Sequence, residues 1–248
     1  MMLHLFNILK KVDSSNNYAM GMVHEGMAKH GMAWFANEQN YGKGQRGKSW
    51  HSDPGENIIL SIAVKPPATF EVSKFYFIAL VSLTVRNFLQ KLINKDIFIK
   101  WPNDIYIGDK KAGGILIENL VNSSSWKWSV IGMGLNINQQ IFDKNISNAT
   151  SVFNITGKKS EVIPLAQQLH LKILNAINNF SKKDEVEVLK SYNSFLYKKD
   201  ALTTLKVSTG IISAIIKCVD ENGNLIVDNG KQLSLKFGDV EWIRQNDL

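Results

Sequence analysis

The chain has 248 residues, with 29 Lys and Arg against 22 Asp and Glu for a formal charge of +7, and 44% of it is hydrophobic. That length and balance suffice to bury a core and exclude a disordered chain; they suit one large domain, or a main domain with a small one. The single cysteine, Cys218, excludes a disulfide framework. The positive excess favours anionic partners. It is spread over pairs such as Lys10-Lys11, Lys110-Lys111 and Lys182-Lys183 rather than gathered in one tract, so neither a nucleic-acid tail nor DNA binding is expected. The longest apolar run, Phe75 to Val85, falls short of the ~20 residues of a membrane span, and no signal peptide is visible. The expected compartment is the cytoplasm, without membrane partners.

In chain order, Leu3 to Val12 reads as a strand, and Asp13-Ser14-Ser15-Asn16 offers capping side chains to a helix running to about Lys29. Met32 to Glu38 is a second strand. Residues 40–56 form a long glycine-rich loop, a kind of segment that is usually functional or mobile. Asn57 to Lys65 is a strand. Ser73 caps a helix whose apolar positions Phe77, Val81, Val85, Phe88 and Leu92 recur at helical spacing. Strands follow at Ile97 to Lys100, Ile105 to Ile107, Gly114 to Glu118 and Trp126 to Asn138, then helices at 161–180 and 184–197. The pattern predicts an α/β (α+β) mixed sheet flanked by helices over residues 1–199. From Asp200 the runs Ala201 to Val207, Gly210 to Val219, Asn224 to Val227 and Val240 to Arg244, with turns at Asn222-Gly223 and Asn229-Gly230, predict a small β domain over 200–248.

Gly42-Lys43-Gly44-Gln45-Arg46-Gly47-Lys48-Ser49 matches the phosphate-loop pattern of NTPases literally, and it also contains the dinucleotide fingerprint. Both motifs depend on a helix opening at the loop. Here Pro54 and Gly55 intervene and the next element is a strand, so the phosphate-loop NTPase is set aside. The glycines still let a backbone approach a ligand, with Lys43, Arg46 and Lys48 beside it. From this segment alone, a solvated loop with incidental charge explains the residues equally well. The five histidines lack metal-ligand spacing, and G-x-S-x-G is absent, which removes zinc and serine-hydrolase readings.

Four segments break that tie. Gly42 to Lys48 with Trp50 resembles the G-R-G-R-x-G-R signature of biotin protein ligases. Lys100-Trp101-Pro102-Asn103-Asp104 and Lys110-Lys111-Ala112-Gly113-Gly114-Ile115-Leu116 resemble that family's K-W-P-N-D and K-x-x-G-I-L segments. Gly132 to Asn138 is similar to its G-x-G-x-N-x-N strand end. The resemblance implies a class II synthetase-like catalytic domain followed by a C-terminal SH3-like β-barrel. It implies biotin and ATP as substrates, Mg²⁺ as cofactor and a biotin carboxyl carrier protein as partner. Because the Asp13-Ser14-Ser15-Asn16 segment opens so near the start, the form expected lacks the N-terminal DNA-binding domain. Homodimers through sheet edges are common in the family and stay an open expectation. Lipoate protein ligase shares the fold and chemistry and is the alternative.

The resemblance assigns catalysis to Lys111, Lys43 and Arg46. Without the flanking motifs, Lys111 would read as a surface lysine on a turn. Ser14, Ser15, Gln39, Gly42, Lys43, Lys111, Gly113 and Gly114 are assigned to biotin; hydroxyls and an amide supply the donors and acceptors that a ureido ring needs, and capping explains the two serines as well. Gln45, Arg46, Lys48, Trp50, Asn57, Lys100, Trp101, Asn103 and Asn136 are assigned to ATP and the adenylate. Trp101 either stacks on adenine or fills the core. Asp104 is assigned to Mg²⁺, against the alternative of a turn carboxylate capping amides. The chain departs from the pattern at Gln45, where the family usually carries a second arginine, and Lys43 and Lys48 replace other arginines.

Overall fold

The computed structural model describes residues 5–70, 74–122, 125–143 and 148–243. The expected strand start at Leu3, the cap at Ser73 and the strand end at Arg244 lie outside them. The run Asn57–Val64, apolar except at Asn57 and Ser61, is buried at every position and forms β3 near the middle of a seven-stranded sheet. Around it, in the order β1-β2-β3-β7-β6-β5-β4, lie β1 (Phe6–Leu9), β2 (Met32–Ala36), β7 (Ser125–Asn136), β6 (Lys110–Asn122), β5 (Asp104–Ile107) and β4 (Ile97–Lys100). β1 and β2 pair parallel through the crossover helix α1 (Ser15–His24), and every other pair is antiparallel, so the sheet is mixed as expected.

One face is covered by α2 (Lys74–Gln90) and α4 (Val162–Asn179), joined in the core by α5 (Glu185–Ser194). In α4, Leu165, Leu169, Ile173 and Ile177 are buried at helical spacing. α1 covers part of the other face, over Trp34, Ala63 and Val130. Three features differ from the expectation. β6 is longer than Gly114 to Glu118. A single helical turn, α3 (Val152–Thr156), is capped by Ser151, whose Oγ accepts from Asn154 N at 3.0 Å. The 40–56 loop has structure of its own: Lys43 bridges Ser49, and Gln45–Gly47 make a 3₁₀ turn.

The C-terminal part is a five-stranded antiparallel sheet, order β11-β10-β9-β8-β12, built from β8 (Leu202–Val207), β9 (Gly210–Val219), β10 (Leu225–Asp228), β11 (Gln232–Leu235) and β12 (Glu241–Trp242). This fits the small C-terminal β domain expected, and its end strands β11 and β12 are not paired with each other among the described residues. It is no loose appendage. Leu205, Ile216 and Val227 belong to the main buried cluster, and Asn193 clasps Val219, accepting from its N at 2.6 Å and donating to its carbonyl at 2.9 Å. The Trp101 indole donates to the Gly223 carbonyl at 2.9 Å. These ties carry residues 237–242 to the rim of the large sheet.

Candidate active site

A cavity of about 580 Å³ lies between β5, β6 and β7, the start of α1, the flap 43–50 and residues 237–242. Its cationic floor comes from β6. A register shift against β5 leaves Ala112 as the extra residue between the pairs Tyr106–Lys111 and Ile105–Gly113; such bulges re-aim neighbouring side chains. Lys111 is further fixed by backbone bonds, its N donating to Asn148 O at 2.7 Å and its O accepting from Thr150 N at 2.9 Å. Its ammonium sits 2.7 Å from Asp104 Oδ1, with both side chains 32% exposed, and 5.8 Å from the centre of the Trp50 ring.

Asp104 opens β5 after the turn Lys100-Trp101-Pro102-Asn103. That turn is pinned twice: Asn103 Nδ2 donates to the Ile115 carbonyl, and Tyr192 Oη donates to the Pro102 carbonyl at 2.8 Å. Burial, aided by the Asp104 charge, pushes the Tyr192 phenol well above its ordinary range, so it stays a neutral donor. Lys100 lies over the Tyr106 and Trp242 rings at 5.2 and 5.1 Å. Trp101 is 4% exposed and meets Phe237 edge-on at 5.9 Å; it lines the cavity and joins the core at once.

The flap brings Lys43, Gln45, Arg46, Lys48 and Trp50 to the cavity wall. Arg46 adopts φ 55° and ψ 40°, unusual for a residue with a side chain. Its guanidinium lies 5.3 Å from the Phe237 ring centre and donates to Val240 O at 3.5 Å, so the flap leans on the C-terminal sheet. Trp50 packs on Gly134, where a Cβ would overlap the indole.

Ser14, Ser15 and Gln39 also line the cavity, with Asn16. Ser14 caps α1 by accepting from Asn17 N at 3.4 Å, and Ser15 N donates to Gln39 Oε1 at 3.3 Å. Gly114 also lines the wall. The structure therefore gathers segments spread from Ser14 to Trp242 around one space lined by both cations and hydroxyls.

Four of the residues singled out in the sequence do not line this cavity. A Cβ at Gly42 would overlap Gln39 Nε2 and Trp50 O, so Gly42 seats those two groups. Gly113 backs onto Leu135. Asn57 accepts from Ile137 N at 2.9 Å and donates to Gln139 Oε1 at 2.5 Å, and Asn136 donates to Thr150 O at 3.0 Å. Both amides are spent on holding the strand end. Asn16, Met133, Phe237 and Val240 to Trp242 also line the wall, although no sequence motif assigns them to it. Asn16 directly follows Ser14-Ser15 in the chain; the C-terminal residues carry no local signal.

Among the described residues no group of three His, Cys, Asp or Glu is placed to hold a metal. A single carboxylate on the cavity floor, Asp104, nevertheless fits magnesium, which takes one or two carboxylates and draws its other ligands from phosphate and water.

The fold and this cavity define a class, an α/β ligase domain with cations assembled over a pocket for an anionic ligand. The chain belongs to the biotin/lipoate A/B protein ligase family, whose model matches residues 9–136. It is 28% identical over 230 residues to the bifunctional ligase/repressor BirA of Escherichia coli, covering 89% of this chain and 68% of that one. It is 23% identical to the biotin–[acetyl-CoA-carboxylase] ligase of Mycobacterium tuberculosis, over 96% and 89% of the two chains. The solved biotin protein ligase of Aquifex aeolicus, in complex with biotin and ATP, shares the fold with a TM-score of 0.81 at 24% identity, over 97% and 99% of the chains.

Proposed function

We propose that the chain condenses biotin with ATP to biotinyl-5′-adenylate, releasing pyrophosphate, and then passes the biotinyl group to a lysine of a biotin carboxyl carrier protein, releasing AMP. Cytoplasmic residence belongs to this reading. The observation that carries it is the meeting of the Lys111 ammonium with Lys43, Arg46 and Lys48 around one cavity. Attack of a carboxylate on the α-phosphate brings two anions together, and pre-placed cations offset that repulsion and the charge that builds on phosphorus.

Lys111 lies beside Trp50 of the flap, where it draws the biotin carboxylate towards the α-phosphate. Ser14 accepts from Asn17 N and keeps its O–H to donate, matching the ureido carbonyl. Lys43, Arg46 and Lys48 hold phosphate oxygens. Trp50 and the Phe237 side shield the mixed anhydride from water. Asp104 would hold Mg²⁺, which supplies charge neutralisation across the triphosphate. In the second half-reaction the acceptor amine attacks the acyl carbon and AMP leaves with the C–O bonding pair.

The test is ATP–pyrophosphate exchange by the purified chain. Exchange that requires biotin and ignores lipoate is expected; exchange driven by lipoate alone would hand the chain to the lipoate branch of the same family.

A further inference from the structure

We propose that Glu118 is a positioning residue: through Asn16 and Ser61 it fixes Ser15 as a hydrogen-bond acceptor towards the cavity, and so sets which edge of a urea-like ring the site accepts. This rests on the biotin reading above. By strand alternation Glu118 shares the face of β6 that carries Gly114 and Leu116, two positions on the cavity wall. Ser61, Gly132 and Leu116 stand side by side on β3, β7 and β6. The Asn16 amide lies across them above Gly132, where any Cβ would overlap it.

The order of donors follows from what each group is able to give. A carboxylate only accepts, so Glu118 Oε2, 2.8 Å from Asn16 Nδ2, selects the amide nitrogen. The second hydrogen of Nδ2 goes to Leu116 O at 3.4 Å. Asn16 Oδ1 therefore faces Ser61 Oγ, 2.8 Å away, and must accept. Ser61 Oγ also lies 2.9 Å from Ser15 Oγ. It has one proton, and the amide oxygen takes it. Ser15 must then donate to Ser61, leaving only lone pairs for the cavity. Ser15, Asn16 and Ser61 are 5%, 4% and 0% exposed, so water does not scramble this order. Beside the Ser14 donor, the result is a donor–acceptor pair complementary to the C=O and N–H of a urea. Glu118 touches no ligand in this arrangement; it acts at two removes.

The test compares Glu118→Met, Glu118→Gln and Ser61→Ala in biotin-dependent pyrophosphate exchange, with biotin and biotin methylated at either ureido nitrogen as substrates. Loss of one oriented hydrogen bond should raise the KM for biotin about tenfold in Glu118→Met, with the KM for ATP and kcat nearly unchanged. Glu118→Gln retains an acceptor for Asn16 and should stay near wild type. The preference for biotin over a methylated form should shrink in Glu118→Met and in Ser61→Ala. If Glu118→Met does not fold, Ser61→Ala decides by the same two readouts. An unchanged preference in both variants, or a KM for ATP that rises with that for biotin, overturns the inference. Wild-type protein inert towards biotin would instead overturn the functional reading on which it stands.

Discussion

The Lys111 ammonium and the Asp104 carboxylate, 2.7 Å apart, form an ion pair on the cavity floor. Part of the pair is open to solvent, so it contributes little to stability. Its consequence is for binding: Asp104 holds the Lys111 ammonium oriented for an arriving carboxylate, and the same carboxylate would hold Mg²⁺, whose charge would offset that of the phosphates. Removing the charge in Lys111→Ala should cost about 100-fold or more in transfer of labelled biotin to a carrier domain, the scale of losing a preorganised charge-stabilising group. Thermal stability should move by less than about 1 kcal/mol. Full transfer by the variant would remove Lys111 from the mechanism.

Asp104→Asn separates the two partners. The amide keeps its size and one acceptor oxygen, yet it is a poor ligand for a hard cation. The Mg²⁺ concentration giving half-maximal pyrophosphate exchange should rise about tenfold, with activity recovering at high Mg²⁺. An unchanged Mg²⁺ titration would leave Asp104 as the anchor of Lys111 and nothing more.

The large sheet was legible because its elements announce themselves locally: β3 is apolar at six of its eight positions, and α2 and α4 carry helical spacing. The cations of the cavity were legible through the family resemblance of the segments that bear them; by local pattern alone the 43–48 loop reads equally well as solvated and Lys111 as a surface lysine on a turn. What escaped was long-range. Asn57 and Asn136 look like ligand groups in a linear motif, but the antiparallel pairing of β3 with β7 brings them opposite each other, where their amides tie Ile137 and Thr150. Phe237 and Trp242 sit in unremarkable sequence, and long-range ties such as the Trp101–Gly223 bond and the Asn193–Val219 clasp carry them to the wall.

The Arg46–Phe237 contact predicts that the C-terminal sheet steadies the flap. Phe237→Ala removes the ring under the guanidinium, a contact worth about 0.5–1 kcal/mol. The variant should bind ATP about two- to fivefold more weakly. Trypsin should cut faster at Lys43, Arg46 or Lys48. Cleavage at the wild-type rate would mean that the flap holds itself through the Lys43–Ser49 bridge.

Gln45 lines the same wall as Arg46 but carries no charge. If flap cations retain the adenylate, Gln45→Arg should lower the release of free biotinyl-adenylate several-fold while leaving the forward rate of its formation within about twofold. Equal release from both proteins would show that Arg46 and the lysines already supply the retention.

His170 makes a pH prediction away from the site. It is 2% exposed on α4, its Nε2 donates to Gly31 O at 2.8 Å, and its ring lies 5.7 Å from that of Phe6. Burial pushes its pKa below the ordinary 6.5, partly opposed by the Gly31 carbonyl. The folded state therefore binds this proton less readily than the unfolded chain. The stability contribution is complete above pH ~6.5 and is lost as the pH falls towards the depressed folded pKa. Carboxylates change stability over the lower part of that range too, so the measurement is a difference. Wild type should lose more Tm than His170→Gln between pH 7 and pH 5, because glutamine keeps an N–H for Gly31 and has no proton to gain. Parallel Tm curves for the two proteins would mean that the imidazole takes its proton without leaving the core.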